Sequence, residues 1–207
     1  MRSCLLLLLL GVFACTPAPV RLTDSGASAS SDDYGSIVKH WTRSAESYEG
    51  FEGRIFVHST YLSWPLRNAQ VSFRQDQERL TNRDVESLSD AHREQHEAGH
   101  EFFVAAYTNQ WEWNRLDRVG DEALWRIRLL NRAGVSVAPI LVRRIQPAHP
   151  VYQELFPYFG RAYTGYIVRF PRLLQDGRPI IQASGGAFTL RISGPKGAVD
   201  LLWEVAE

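Results

Sequence analysis

The sequence predicts a mostly β domain with a helical insertion: an antiparallel β-sandwich, immunoglobulin-like or related, preceded by a hairpin and two helices. Three observations lead there. Short apolar segments recur through the second half of the chain, separated by Gly-, Asp- and Pro-containing turns. The two long helical stretches both fall in the first half. A composition of 44 % hydrophobic and 12 % aromatic residues can fill a core without covalent staples.

Ser36–Glu46 and Gly53–Ser63 have extended character, and Glu49–Gly53 between them supplies a turn, giving a hairpin. Ser63 is an N-cap with Pro65 in the first helical turn, where its missing N–H costs nothing. A helix to about Gln77 places Leu66, Ala69 and Phe73 on one side. A second helix starts at Thr81 or Asn82, carries Val85 and Leu88 on an apolar stripe, and stops at Gly99. Glu101–Thr108 is continuously apolar after its first residue, which marks a central strand buried on both faces. Later strands are expected at Leu124–Leu129, Val135–Val137, Ile140–Ile145, Tyr166–Phe170, Phe188–Ile192 and Val199–Val205, with a short helical excursion from His149 to Phe156. No Cys–Trp–Cys core is available, so the sandwich rests on strand rhythm alone.

The first residues carry a different signal. Arg2 is followed by an apolar run from Leu5 to Ala14, too short to span a bilayer as a mature helix. The run ends in Val12-Phe13-Ala14-Cys15. This stretch resembles the cleavage site of a bacterial lipoprotein, in which a small residue precedes a cysteine. The resemblance covers only residues 1–15. It implies a signal peptide over 1–14, diacylglycerol on Cys15, cleavage before it, and acylation of the new amino terminus. Two or three acyl chains hold a protein firmly where one gives marginal binding. Thr16, rather than aspartate, stands after the cysteine. In the resembled class this implies the outer membrane, facing the periplasm.

Residues 15–33 are polar and rich in Ser, Gly and Pro, which reads as a lipidated cysteine and a flexible tether. Residues 34–207 then form one globular domain, with the hairpin and helices in 34–100 and the β-rich part in 101–207. Cys4 leaves with the signal and Cys15 carries the lipid, so neither a disulfide nor a disulfide-linked partner is expected. The 23 basic and 23 acidic residues balance, and no polybasic run occurs, which argues against a nucleic-acid partner.

The sharpest chemical motif is His92-Arg93-Glu94-Gln95-His96-Glu97-Ala98-Gly99-His100. His92 and His96 share a helical face, and His100 joins them if the helix survives Gly99. With Glu97 these residues form a candidate site for a divalent metal. Glu94 points off the shared face, so the motif is not that of a metalloprotease. The competing reading places the histidines on the Val85–Leu88 stripe as structural residues. Trp111 and Trp113 share a face if extended, and are candidate contacts for a sugar or peptide. No serine lies in a Gly-x-Ser-x-Gly turn, and Gly185-Gly186 is not a phosphate loop. The leading expectation is a membrane-anchored, non-enzymatic binding or structural module for an envelope protein, peptide or wall component. The alternative is a metal-dependent protein centred on His92 and His96.

Overall fold

In the computed structural model, residues 17–22, 33–145 and 149–207 are described; the leader, Cys15 and most of the expected tether lie outside them. The hairpin forms, though its first half is divided differently. Tyr34–Trp41 is a helix, α1, because Tyr34, Val38 and Trp41 recur at helical spacing and bury one face. Extended backbone begins only at Thr42, giving β1 (Thr42–Glu49) and β2 (Glu52–Tyr61). Gly50 closes the turn at φ +61°, a conformation that glycine adopts without steric cost.

The two long helices fall close to their predicted places. α2 (Trp64–Glu78) is capped by Ser63, whose Oγ accepts from the Leu66 N–H. α3 (Asn82–Glu97) begins in a capping box, where Thr81 and Asp84 satisfy each other's backbone N–H groups. The helix ends before Gly99. That glycine serves the next strand: a β-carbon at 99 would overlap the Phe170 carbonyl oxygen.

The remaining elements are β3 (His100–Thr108), β4 (Arg126–Asn131), β5 (Ser136–Val137), β6 (Leu141–Arg144), α4 (Pro150–Leu155), β7 (Thr164–Phe170), β8 (Ala187–Gly194) and β9 (Gly197–Glu204). They complete two antiparallel sheets, ordered β1-β2-β3-β7-β6 and β5-β4-β8-β9. β3 is the middle strand of the larger sheet. Its even-numbered residues face the second sheet: Phe102 meets Phe188 and Trp203, and the latter two rings stack 5.3 Å apart. Its odd-numbered residues face the other way, where Phe103 stacks on Phe156 at 4.1 Å. A large ring buried in such a layer contributes about 1.5–3 kcal/mol. Both faces of β3 therefore hold the fold together.

The expectation of a mostly β sandwich is met at its coarser level. Two antiparallel sheets face each other, and the helices make the domain mixed α/β rather than mostly β. Among the described residues no helix is long and apolar enough to cross a membrane.

One part of the expected tether is docked. Val20 is fully buried in a parallel bridge with Val205. Its N–H donates to the Glu204 carbonyl at 2.7 Å, and its own carbonyl accepts from the Ala206 N–H at 2.8 Å. A buried valine with both backbone groups paired is part of the domain. The tether expectation therefore fails for residues 17–22.

Candidate functional site

The odd-facing side of β3 continues across β1 and β2 as a surface that α4 covers only in part. Cross-strand register sets its residues. Thr42 lies opposite Thr60, Ser44 opposite His58, and Glu46 opposite Phe56. Phe56 in turn faces Tyr107 on β3. Side chains alternate along a strand, so these residues share one face.

A row of rings runs along this face. Tyr158 lies 5.2 Å from His58, His58 5.2 Å from Tyr163, and Tyr163 6.2 Å from Tyr107. Tyr107 is 5.8 Å from Phe56, and Phe56 is 5.5 Å from Tyr48 near the hairpin tip. Tyr48 is 53 % exposed and Tyr107 37 %, and the intervening rings are half-buried. The row covers the stretch of β1 from the level of Thr42 to Tyr48, about 20 Å at the usual strand rise.

At its lower end the row enters a groove of about 680 Å³ whose walls include Ala18, Val38, Lys39, Ser44, His58 and Tyr158. Two hydrogen-bonded chains fix its polar groups. Thr42 Oγ1 donates to the Val38 carbonyl at 2.7 Å and lies 2.6 Å from Thr60 Oγ1, which is 2.5 Å from the Tyr158 hydroxyl. With the Thr42 proton committed, Thr60 donates to Thr42 and Tyr158 donates to Thr60. Burial pushes the Tyr158 phenol well above its ordinary pKa, so it stays a donor. In the second chain His58 Nδ1 is 2.7 Å from Ser44 Oγ, and its Nε2 is 3.1 Å from the Tyr163 hydroxyl. Burial holds the imidazole below its ordinary value, so it is neutral at pH 7, one nitrogen donating and the other accepting.

No family model matches the chain, and no curated protein matches it. A crystal structure of a novel protein of unknown function from Burkholderia pseudomallei K96243 is similar, at 10 % identity and a TM-score of 0.42, over 84 % of this chain and 82 % of that one.

The residues singled out from the sequence lie elsewhere. His92 and His96 are on α3 as expected, but His100 opens β3 and turns inward, its Nδ1 2.9 Å from the Tyr61 hydroxyl. The His96 ring lies against Trp64, and Glu97 is exposed. Among the described residues no three His, Cys, Asp or Glu side chains converge as metal ligands, so the set His92, His96, His100 and Glu97 is not assembled. Burial and neighbouring cations also hold the three rings below the ordinary imidazole range. Burial and then the charges of Arg67 and Arg74 push His92 down to about 4. Burial and then Arg172 and Arg67 do the same for His96, also to about 4. Burial, Arg172 and His96 take His100 to about 3.

Trp111 and Trp113 are on a single 3₁₀ turn rather than a strand. This separates their fates. Trp111 is 77 % exposed. Trp113 has two cations near its rings, Lys196 Nζ at 4.6 Å and the Arg54 guanidinium carbon at 5.6 Å. Motif and spacing do not single out Ser44, His58, Tyr158 or Tyr163. The alternation Phe56, His58, Thr60 on one strand face is the signal available for part of the set. The tyrosines that complete the site come from about 100 residues further along, a relationship no local pattern carries.

Proposed function

We propose that this chain is an envelope lipoprotein, anchored through diacylglyceryl Cys15 on the periplasmic side of the outer membrane, whose domain binds an extended wall polymer without transforming it. The observation that carries the binding part is the row from Tyr158 through His58, Tyr163, Tyr107 and Phe56 to Tyr48. A run of partly exposed rings with hydroxyls beside them suits a glycan strand, since sugars present apolar faces edged by hydroxyls. The anchor supplies localisation, and the sequence around Cys15 supports it. Co-sedimentation of the detergent-solubilised protein with purified peptidoglycan sacculi tests the binding. Capture should fall at least severalfold in the Tyr48→Ala/Tyr107→Ala double variant with the fold intact. Equal capture of both proteins would exclude the aromatic row as the binding surface.

One observation favours a second reading, acyl transfer. Ser44 Oγ sits within hydrogen-bond reach of a neutral imidazole whose other nitrogen is held by a phenol. Covalent labelling of Ser44 by a fluorophosphonate, abolished in His58→Ala, would establish an activated serine. The binding reading expects no labelling.

A further inference from the structure

Val20 is pinned to the end of β9, and Pro17 and Ala18 continue from it along the wall of the groove. The Ala18 carbonyl accepts from the buried Arg43 guanidinium at 3.2 Å. Arg43 also donates to the carbonyls of Leu202 and His40, which fixes this stretch of chain to both sheets. Only Thr16 lies between Cys15 and Pro17. Two residues of backbone reach at most about 7 Å.

We propose that the edge formed by residues 17–22 and α1 is the face that rests on the bilayer, with the groove opening at headgroup level and the β1–β2 hairpin tip pointing away. This rests on the lipidation of Cys15. Given that lipid, the geometry leaves little choice, because the acyl chains enter the membrane within about 7 Å of Pro17. The partner surface is the bilayer that holds the protein's own anchor. Reach sets the orientation rather than charge: Arg21 and Lys39 are exposed along this edge, and so are Asp33 and Glu204. Phe51, fully exposed at the hairpin tip, lies about 25 Å away along β1. The aromatic row therefore stands upright on the membrane, rising from the headgroups toward the wall. A domain on the 19-residue tether expected from composition would instead tumble freely above the surface.

The test uses the full lipidated protein in phosphatidylcholine/phosphatidylglycerol vesicles containing doxyl-labelled lipid. Cys15 is thioether-blocked in the mature chain, so a fluorophore attaches only to an introduced cysteine. Label on Lys39→Cys should be quenched severalfold more than label on Phe51→Cys. A Gly/Ser insertion of roughly 12 residues between Thr16 and Pro17, with an r.m.s. span of about 20 Å, should bring the Lys39→Cys signal down to the Phe51→Cys level. Equal quenching at the two positions, or no response to the insertion, overturns the orientation. The intact mass of the same preparations separates the two failures. A mass lacking the lipid overturns the anchor itself, whereas a lipidated protein with equal quenching overturns only the orientation.

Discussion

The guanidinium of Arg67 and the carboxylate of Glu101 meet at 3.2 Å with side chains 1 % and 4 % exposed, joining α2 to β3 through a buried ion pair. Arg169 on β7 reaches the other carboxylate oxygen at 2.6 Å, and Gln95 and the Leu62 carbonyl accept from Arg67. Burial pushes the Arg67 guanidinium below its ordinary value, and Glu101 pulls it back up. Every charge in the cluster has a partner, so the cluster matters most through the cost of removing one member. Glu101→Ala leaves Arg67 charged and unpaired in the interior, and about 3–5 kcal/mol of stability should be lost. Urea unfolding of the variant checks this. A loss under about 1 kcal/mol would show that water reaches the pair.

Acid should weaken the same region before it reaches the carboxylates. His92, His96 and His100 are held in the folded chain at about 4, about 4 and about 3. In the unfolded chain they take protons near 6.5. Folded values lie below unfolded ones, so the contribution is present in full above about pH 6.5 and is lost as pH falls toward the folded values. For His100, 6 % exposed, the loss by pH 5 is about 2 kcal/mol. Urea midpoints between pH 7.5 and 5 should fall, and His100→Gln should flatten part of that slope. An unchanged slope would remove His100 as a cause.

The range of each interaction decides whether it is legible in the sequence. α2 is legible because Ser63 and Pro65 act on their own helix, and β3 because a central strand must be apolar throughout. α1 falls where the sequence suggests extended chain, although Tyr34, Val38 and Trp41 carry the helical period. Gly99 does mark a point past which α3 does not run, but its reason is the Phe170 backbone rather than the helix end. The histidine triplet stands out because its spacing is local. The groove does not, because Ser44 and His58 become a site only when Tyr158 and Tyr163 arrive from another part of the chain. Val20 is the extreme case, with its partner at the opposite end of the sequence.

The two tryptophans of the 3₁₀ turn should respond differently to removal. Trp111 projects into solvent, so Trp111→Ala should leave stability within about 0.5 kcal/mol. Trp113 has Lys196 and Arg54 against its rings, and its backbone carbonyl accepts from the buried Trp125 indole at 2.7 Å. Trp113→Ala should cost about 2 kcal/mol through lost burial and cation–π contact, with the carbonyl contact retained. Thermal melts of both variants decide it. Equal effects would contradict the separation of the pair.

Val20 provides the sharpest distinction between a tether and a docked strand. Its side chain is fully buried and its backbone is paired on both sides, so Val20→Ala should cost about 1–3 kcal/mol. A chain beginning at Asp33 should lose more, because the Glu204 carbonyl and the Ala206 N–H lose their partners along with the valine. Comparing the melting temperatures of chains beginning at Pro17 and at Asp33 tests this directly. Composition alone makes residues 17–22 a spacer, and a spacer can be removed without effect. Equal melting temperatures would return the segment to that role, and the proposed bilayer-facing edge would lose its geometric basis.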